Sequence, residues 1–270
     1  AGLEEGLIKK DTEFLNLEKK LKCGKNIISE YDKKIPSDLT VEEILIRSGN
    51  IGSVRIGQKL EIDKLKFFLE KIGVLSKIDF DIEEVGEPIP FRWGKCKLAT
   101  ASFGHGITTT PLQLAKAYAI IANGGFQIKP SLIQSSLKEN PKQKRIIKEG
   151  VSKQINQILR KIVTTKEGTA GLANIEGYEV GGKTGTAEKV IVGGYTRKAK
   201  VNTFASVFPT SKPKYVMIVL LDEPKTSKEY IYKYKNKSGS YKGTPYNTAG
   251  WTSVEVAGKI LQRIGPILAT

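Results

Sequence analysis

Apolar residues return at helical spacing over much of this chain. The run Thr40-Val-Glu-Glu43 has a capping-box pattern and leads into Ile44-Leu45-Ile46, so a helix starts there. A second helical pattern begins near Ile51, runs through Val54, Ile56 and Leu60, and continues with Ile62, Leu65, Phe68, Leu69 and Ile72. Thr110 and Pro111 read as N-cap and first-turn proline of a helix that Gly124-Gly125 ends, with Leu112, Leu114, Ala115, Tyr118 and Ile121 as its apolar stripe. Helical spacing returns over residues 151–163. It returns again over 251–268, where Val254, Ala257, Ile260, Leu261 and Ile264 point inward.

Three strands are expected at 179–190, 202–208 and 215–221, and the last, Tyr-Val-Met-Ile-Val-Leu-Leu, suits a buried strand. Residues 79–93 read as loop, 126–129 as a short extended run, 139–148 as a polar connector, and 225–246 as a mobile Lys/Ser/Gly/Tyr loop. There are no internal repeats. Helices packing an antiparallel sheet give an α+β fold, with a helical lobe mainly over 1–125 and a sheet lobe mainly over 126–270.

Composition narrows the function classes. A chain of 270 residues can bury a good core, and no apolar run approaches membrane-spanning length. The net charge of +16 suggests nucleic acid or an anionic surface, but the lysines are spread throughout and no nucleic-acid motif accompanies them. Lys142-Gln-Lys-Arg145 reads as a solvated loop. Nucleic acid is therefore not expected as a partner, and attraction to anionic lipid headgroups remains a minor role. Cys23 and Cys96 fit no metal or redox spacing and read as free or incidental thiols, with one disulfide as the alternative. His105, between Gly104 and Gly106, has no second partner for base chemistry and reads as a histidine bonding nearby backbone.

Candidate chemistry concentrates in two places. In Lys183-Thr-Gly-Thr186, strand alternation puts Lys183 and Gly185 on one face and Thr184 and Thr186 on the other. The side-chain-free Gly185 leaves room for another backbone to lie against the strand, as an extended, carboxylate-bearing substrate requires. Ser48-Gly-Asn50 reads as a tight connection between two helices, where a hydroxyl can relay a proton and a carboxamide can donate and accept. A plain turn is the bland reading of the same three residues.

Taken in order with Ser102-Phe-Gly-His-Gly106, Thr110-Pro-Leu-Gln-Leu-Ala115, Leu221-Asp-Glu-Pro224 and Thr248-Ala-Gly-Trp251, these motifs resemble the transpeptidase domain of class B penicillin-binding proteins, and most closely its division-specific branch. The resemblance covers essentially the whole chain. It implies a penicillin-binding, serine β-lactamase-like fold. It also implies a peptidoglycan D,D-transpeptidase that cross-links stem peptides in septal wall synthesis through a serine acyl-enzyme. In that family Ser48 relays a proton to the leaving amine, Asn50 holds the donor's amide backbone, and Lys183 supplies positive charge. Thr184 and Thr186 bind the terminal carboxylate, beside Gly185, and the Thr186 N–H contributes to the oxyanion hole.

The same resemblance implies no metal or organic cofactor. Its expected ligands are D-Ala-D-Ala stem peptides and β-lactams, and its expected partners are divisome proteins including a septal glycosyltransferase. The catalytic domain is expected in the bacterial periplasm, held to the inner membrane by an upstream anchor. An elongation-type class B transpeptidase, or a non-catalytic or β-lactam-sensing domain, are the alternatives.

One departure stands out. The family's Ser-x-x-Lys should precede Ser48, but Ser29 and Ser37 have no lysine three residues on. The formal matches at Ser135–Lys138 and Ser211–Lys214 fall after Ser48, in the wrong order. The opening Ala1-Gly-Leu-Glu-Glu-Gly-Leu-Ile8 resembles the tail of the helix that bears the nucleophile. The chain is therefore expected to be a partial domain lacking two N-terminal strands and most of that helix, and inactive alone.

Overall fold

The computed structural model describes residues 1–83, 86–134, 144–191, 194–233, 240–243 and 246–268, with only the backbone at 190–191 and 194–198. Ser135–Lys138 lies outside the described residues, as do the first two residues of the Lys142–Arg145 cluster. The chain forms two compact units, Ala1–Ile155 and Asn156–Thr270. The division falls at residue 155, inside a helix, whereas the sequence placed the change of lobe after 125.

The first unit opens with turns over residues 1–7, closed by the Glu5 N–H to the Ala1 carbonyl at 2.9 Å. Four short strands follow: β1 (Glu13–Phe14) pairs with β4 (Leu39–Thr40), and β2 (Lys20–Cys23) with β3 (Asn26–Ser29), both antiparallel. None was expected from sequence, since two to four residues are too few to show an alternation. The helices are α1 (Val41–Arg47), α2 (Asn50–Lys71), α3 (Lys95–Ala101) and α4 (Pro111–Ala122), and α5 (Glu149–Thr164) crosses the division. Residues 79–83 and 86–93 are irregular, as expected, whereas α3 went unforeseen. Phe126 makes an isolated bridge to Arg145.

Thr40 and Glu43 form the expected capping box, with Glu43 N–H donating to Thr40 Oγ1 at 3.2 Å and Thr40 N–H to Glu43 at 2.8 Å. The same arrangement starts α4 at Thr110 and Gln113, and Gly124 and Gly125 at φ 90° and 87° turn the chain away after it. The buried face of α4 is Gln113, Ala117 and Ile120, one position round from the stripe expected at Leu112, Leu114, Ala115, Tyr118 and Ile121. Gln113 is fully buried because its carboxamide is spent on the cap and on the Ser76 carbonyl. A hydrophobicity pattern cannot register a satisfied polar residue.

Cys23 and Cys96 are joined in a disulfide, with Cα atoms 5.4 Å apart, which corrects the expectation of free thiols. The bond ties the β2–β3 hairpin to α3 beside a core of Leu17, Ile28, Ile35, Ile44, Ile51 and Val54. A cross-link spanning 73 residues removes chain entropy worth about 4 kcal/mol from the unfolded state. Nothing in the bare spacing announced it, because the two cysteines meet only once α3 has formed.

In the second unit β5 (Gly181–Ile191), β6 (Gly194–Phe208) and β7 (Tyr215–Asp222) make an antiparallel sheet in that order. β6 lies between its neighbours and buries both faces, with Phe204 on one side and Val207 on the other. β7 lies at the edge of these described strands with Leu220 43% exposed, so it is not the fully buried strand its composition suggested. Helix α6 (Ser253–Leu268) packs Val254, Ala257 and Leu261 inward against β6 and β7, as expected, while Ile260 and Ile264 of the same expected stripe are only half-buried. A hairpin of β8 (Ile231–Lys233) and β9 (Ser240–Lys242) occupies part of the expected loop, because Tyr232 packs edge-on to Trp251 with ring centres 5.1 Å apart.

α2 is broken at Glu61, whose φ of 64° and ψ of 175° belong to a region that glycine alone occupies without strain. The break resets the helical phase, so the halves bury different stripes: Ile51, Val54 and Leu60 before it, Leu65, Phe68 and Ile72 after it. Glu61→Gly is expected to stabilise the chain by about 1 kcal/mol in a urea melt, relieved strain outweighing the entropy of the glycine. A lower midpoint would show that the glutamate side chain itself holds the joint.

Candidate functional site

The Ser48-Gly-Asn50 turn joins α1 to α2 in the first unit. Ser48 sits at φ 59° and ψ 42°, the left-handed cap of α1, where a glycine would hold the backbone at less cost by about 1 kcal/mol. A hydroxyl at that position is thus not explained by the turn. The Gly49 N–H closes the cap onto the Ile44 carbonyl at 2.9 Å, and the Asn50 carboxamide donates to the Ser29 carbonyl at 2.9 Å. That leaves the Asn50 Oδ1 as the acceptor the side chain can offer a ligand.

Gly49 has no side chain to cap α2, and Glu30 takes that role. Its two carboxylate oxygens accept from the Asn50 N–H at 2.7 Å and the Ile51 N–H at 2.9 Å. A carboxylate at a helix N-terminus satisfies orphan donors and meets the favourable end of the helix dipole. Nothing in the local sequence points to Glu30, which lies twenty residues upstream of Asn50 and follows the β2–β3 hairpin.

Lys183 to Thr186 lie in β5 of the second unit. The register pairs Lys183 with Ala205, Thr184 with Phe204, Gly185 with Thr203 and Thr186 with Asn202, so the two faces alternate as the sequence implied. Both threonine hydroxyls are held: Thr184 shares a 2.8 Å hydrogen bond with Thr169, and Thr186 Oγ1 accepts from the Ala249 N–H at 3.0 Å. The Ala249–Trp251 3-10 turn packs closely beside them, since a Cβ on Gly250 would stand 2.7 Å from the Thr169 carbonyl oxygen.

The glycines of this strand differ in what requires them. A Cβ on Gly181 or Gly182 would collide with α5 backbone or with Phe204 and the Ala205 carbonyl, so internal packing explains both. A Cβ on Gly185 would meet nothing nearer than 3.9 Å. Gly185 and Thr186 are exposed, and among the described residues β5 has one partner strand, β6. Its outer edge therefore offers backbone donors and acceptors to an extended chain.

Lys183 is half-buried, and its Nζ donates to the Thr184 carbonyl at 3.0 Å. Burial pushes its pKa down from 10.5 to about 8, so it is still a cation at neutral pH. The remaining sequence candidates do not join these groups. Ser211 donates to the Glu179 carboxylate in an irregular turn, and the His105 ring stacks on Phe103 with centres 6.0 Å apart. Among the described residues no cluster of His, Cys, Asp or Glu is arranged to hold a metal, and no helix is long and apolar enough to cross a membrane.

The second unit thus carries an open-edged strand with a half-buried cation and two held hydroxyls, and the first unit a Ser-x-Asn turn, the two motifs on which the resemblance to penicillin-binding transpeptidase domains rests. Comparison agrees: the family described as the penicillin binding protein transpeptidase domain matches residues 1–243, and the chain belongs to it. Among curated relatives, the probable peptidoglycan D,D-transpeptidase FtsI of Caulobacter vibrioides is 29% identical over 99% of this chain and 44% of its own length. Stage V sporulation protein D of Bacillus subtilis is 35% identical over 69% of this chain and 30% of its own. The chain thus spans less than half the length of these relatives. The transpeptidase domain of Burkholderia pseudomallei penicillin-binding protein 3 superposes with a TM-score of 0.83 at 22% identity, over 99% of this chain and 75% of that one. The ampicillin complex of Mycobacterium tuberculosis penicillin-binding protein 3 gives 0.80 at 23% identity, over 98% and 60%. These likenesses bear out the α+β penicillin-binding fold.

The depressed pKa of Lys183 makes a stability prediction. Its folded value lies below its unfolded one, so between pH 8 and 10.5 the native state binds fewer protons and stability rises with pH. Lys183→Met is therefore expected to stabilise the chain at pH 7 and to lose that advantage as pH approaches 10.5. A constant difference across this window in urea melts would mean the ammonium is not desolvated.

Proposed function

We propose that this chain is the substrate-binding part of a peptidoglycan D,D-transpeptidase acting in septal wall synthesis, with a serine nucleophile in a Ser-x-x-Lys segment preceding Ser48. The observation that carries the reading is Gly185: exposed, unrequired by internal packing, and set on an open strand edge between two held hydroxyls, two residues from a cation. An extended peptide ending in a carboxylate fits that edge by strand addition. Lys183 attracts the anion, and Thr184 and Thr186 bind its carboxylate.

The reaction is acyl transfer in two steps. The serine attacks the penultimate D-Ala carbonyl, the C–N bond breaks, and Ser48 relays a proton to the departing D-alanine amine. Asn50 accepts from the donor's amide backbone through Oδ1. The Thr186 N–H contributes to holding the developing oxyanion. An amine of a second stem peptide then takes the acyl group and regenerates the serine. β-Lactams present the same carbonyl and carboxylate and trap the acyl-enzyme. The Cys23–Cys96 disulfide suits an oxidising compartment, which supports a periplasmic catalytic domain. In this reading the intact enzyme is held by an inner-membrane anchor and works beside a septal glycosyltransferase.

A fluorescent penicillin tests this on the 270-residue chain and on the protein extended upstream to the next Ser-x-x-Lys. Only the longer protein is expected to label, losing the label when its serine is replaced. Gly185→Ala in that protein should cut labelling about tenfold or more while leaving the melting temperature nearly unchanged. Labelling of the short chain would make Ser48, Ser135 or Ser211 the nucleophile. No labelling of either would favour a non-catalytic domain.

A further inference from the structure

Asn202 of β6 is fully buried directly across the strand pair from Thr186. Its Nδ2 donates to the Asn247 carbonyl at 2.8 Å and to Thr252 Oγ1 at 2.7 Å. Thr252 Oγ1 gives its own proton to the Thr248 carbonyl at 3.0 Å, so towards Asn202 it can only accept. Both contacts therefore demand a donor, which fixes the carboxamide with nitrogen towards residues 247–252. The Asn202 Oδ1 is left buried with no partner among the described residues, an arrangement that costs stability.

What the two bonds secure is the segment carrying the Ala249–Trp251 turn, and the first amide of that turn is the one that donates to Thr186 Oγ1 at 3.0 Å. That bond occupies one lone pair of the hydroxyl and leaves its proton to be donated elsewhere, and Thr186 itself is exposed. Gly250 lets the same turn lie against the Thr169 carbonyl, while the Thr169 hydroxyl holds Thr184. The turn is thus clamped from two sides, and each clamp ends at one of the two threonines.

We propose that Asn202 is a positioning residue for carboxylate binding: by pinning Asn247 and Thr252 it places the Ala249 N–H that aims the Thr186 hydroxyl at the donor carboxylate. The proposal rests on the reading of Thr186 as a carboxylate ligand. It predicts that Asn202 and Thr186 act as one unit, although Asn202 touches no substrate.

The test uses the longer, penicillin-reactive protein with Asn202→Asp, which keeps the shape but turns the required donor into an acceptor, and Thr186→Val, which removes the hydroxyl. Thr252→Ala, which deletes a single acceptor, is the milder companion should Asn202→Asp fold poorly. Acylation by a fluorescent penicillin is resolved into a binding constant and an acylation rate constant. Asn202→Asp and Thr186→Val are each expected to weaken binding about tenfold, the loss of a hydrogen bond to a charged group, with the rate constant changed much less. The double variant should bind no more weakly than Thr186→Val alone. Thr252→Ala should shift binding in the same direction by less, and Ala249 amide hydrogen exchange should quicken in all the Asn202 and Thr252 variants. Additive losses in the double variant, or an Ala249 amide that Asn202→Asp leaves unchanged, would overturn the positioning role while leaving Thr186 in place. Unchanged binding in Thr186→Val would instead overturn the carboxylate reading on which it rests.

Discussion

The register of β5 on β6 is what the candidate site depends on. Side chains along a strand alternate with a period of two, so a slip by one residue would exchange the two faces. Lys183 would then take the place of the threonines, and neither hydroxyl would reach Thr169 or Ala249. The observed register is held by residues that tolerate no shift. Gly181 and Gly182 admit α5 and Phe204 where any side chain would collide, and Phe204 is fully buried opposite Thr184. Packing on the inner part of the strand thus sets the chemistry of its exposed part, two to four residues on.

The same division of labour appears in the first unit. The Ser48-Gly-Asn50 turn carries polar groups in a conformation that a glycine would hold more easily, and its geometry is imposed from outside by Glu30 and the Ser29 carbonyl. The hairpin that supplies both is itself tied to α3 by the Cys23–Cys96 disulfide. In each unit the motif residues are few, and the groups that hold them come from elsewhere in the chain.

Much of this could be read in advance. Capping boxes, helix-ending glycines and strand alternation are local, and Thr40–Glu43, Thr110–Gln113, Gly124 and the strands β5 and β7 formed where those signals stood, whereas β6 begins at Gly194, well before the start expected at 202. The motifs around Ser48 and Lys183 were legible because a short run of residues carries them. What stayed hidden depends on contacts between distant segments. The disulfide, the Glu30 clamp, the Asn202 bonds to Asn247 and Thr252, and the break at Glu61 have no local signature. Gln113 shows the complementary failure, a polar residue at the centre of a helix's buried face because its hydrogen bonds are met.

The central claim is that the open edge of β5 receives an extended peptide through its terminal carboxylate. Amide resonances of this chain, followed while an N-acyl D-Ala-D-Ala peptide is added, test it without any acylation step. The account predicts shifts at Thr184, Gly185, Thr186 and Ala249, and their loss when the peptide's carboxylate is replaced by a carboxamide. Equal shifts from both peptides, or shifts confined to residues away from β5 and the 247–252 segment, would contradict it.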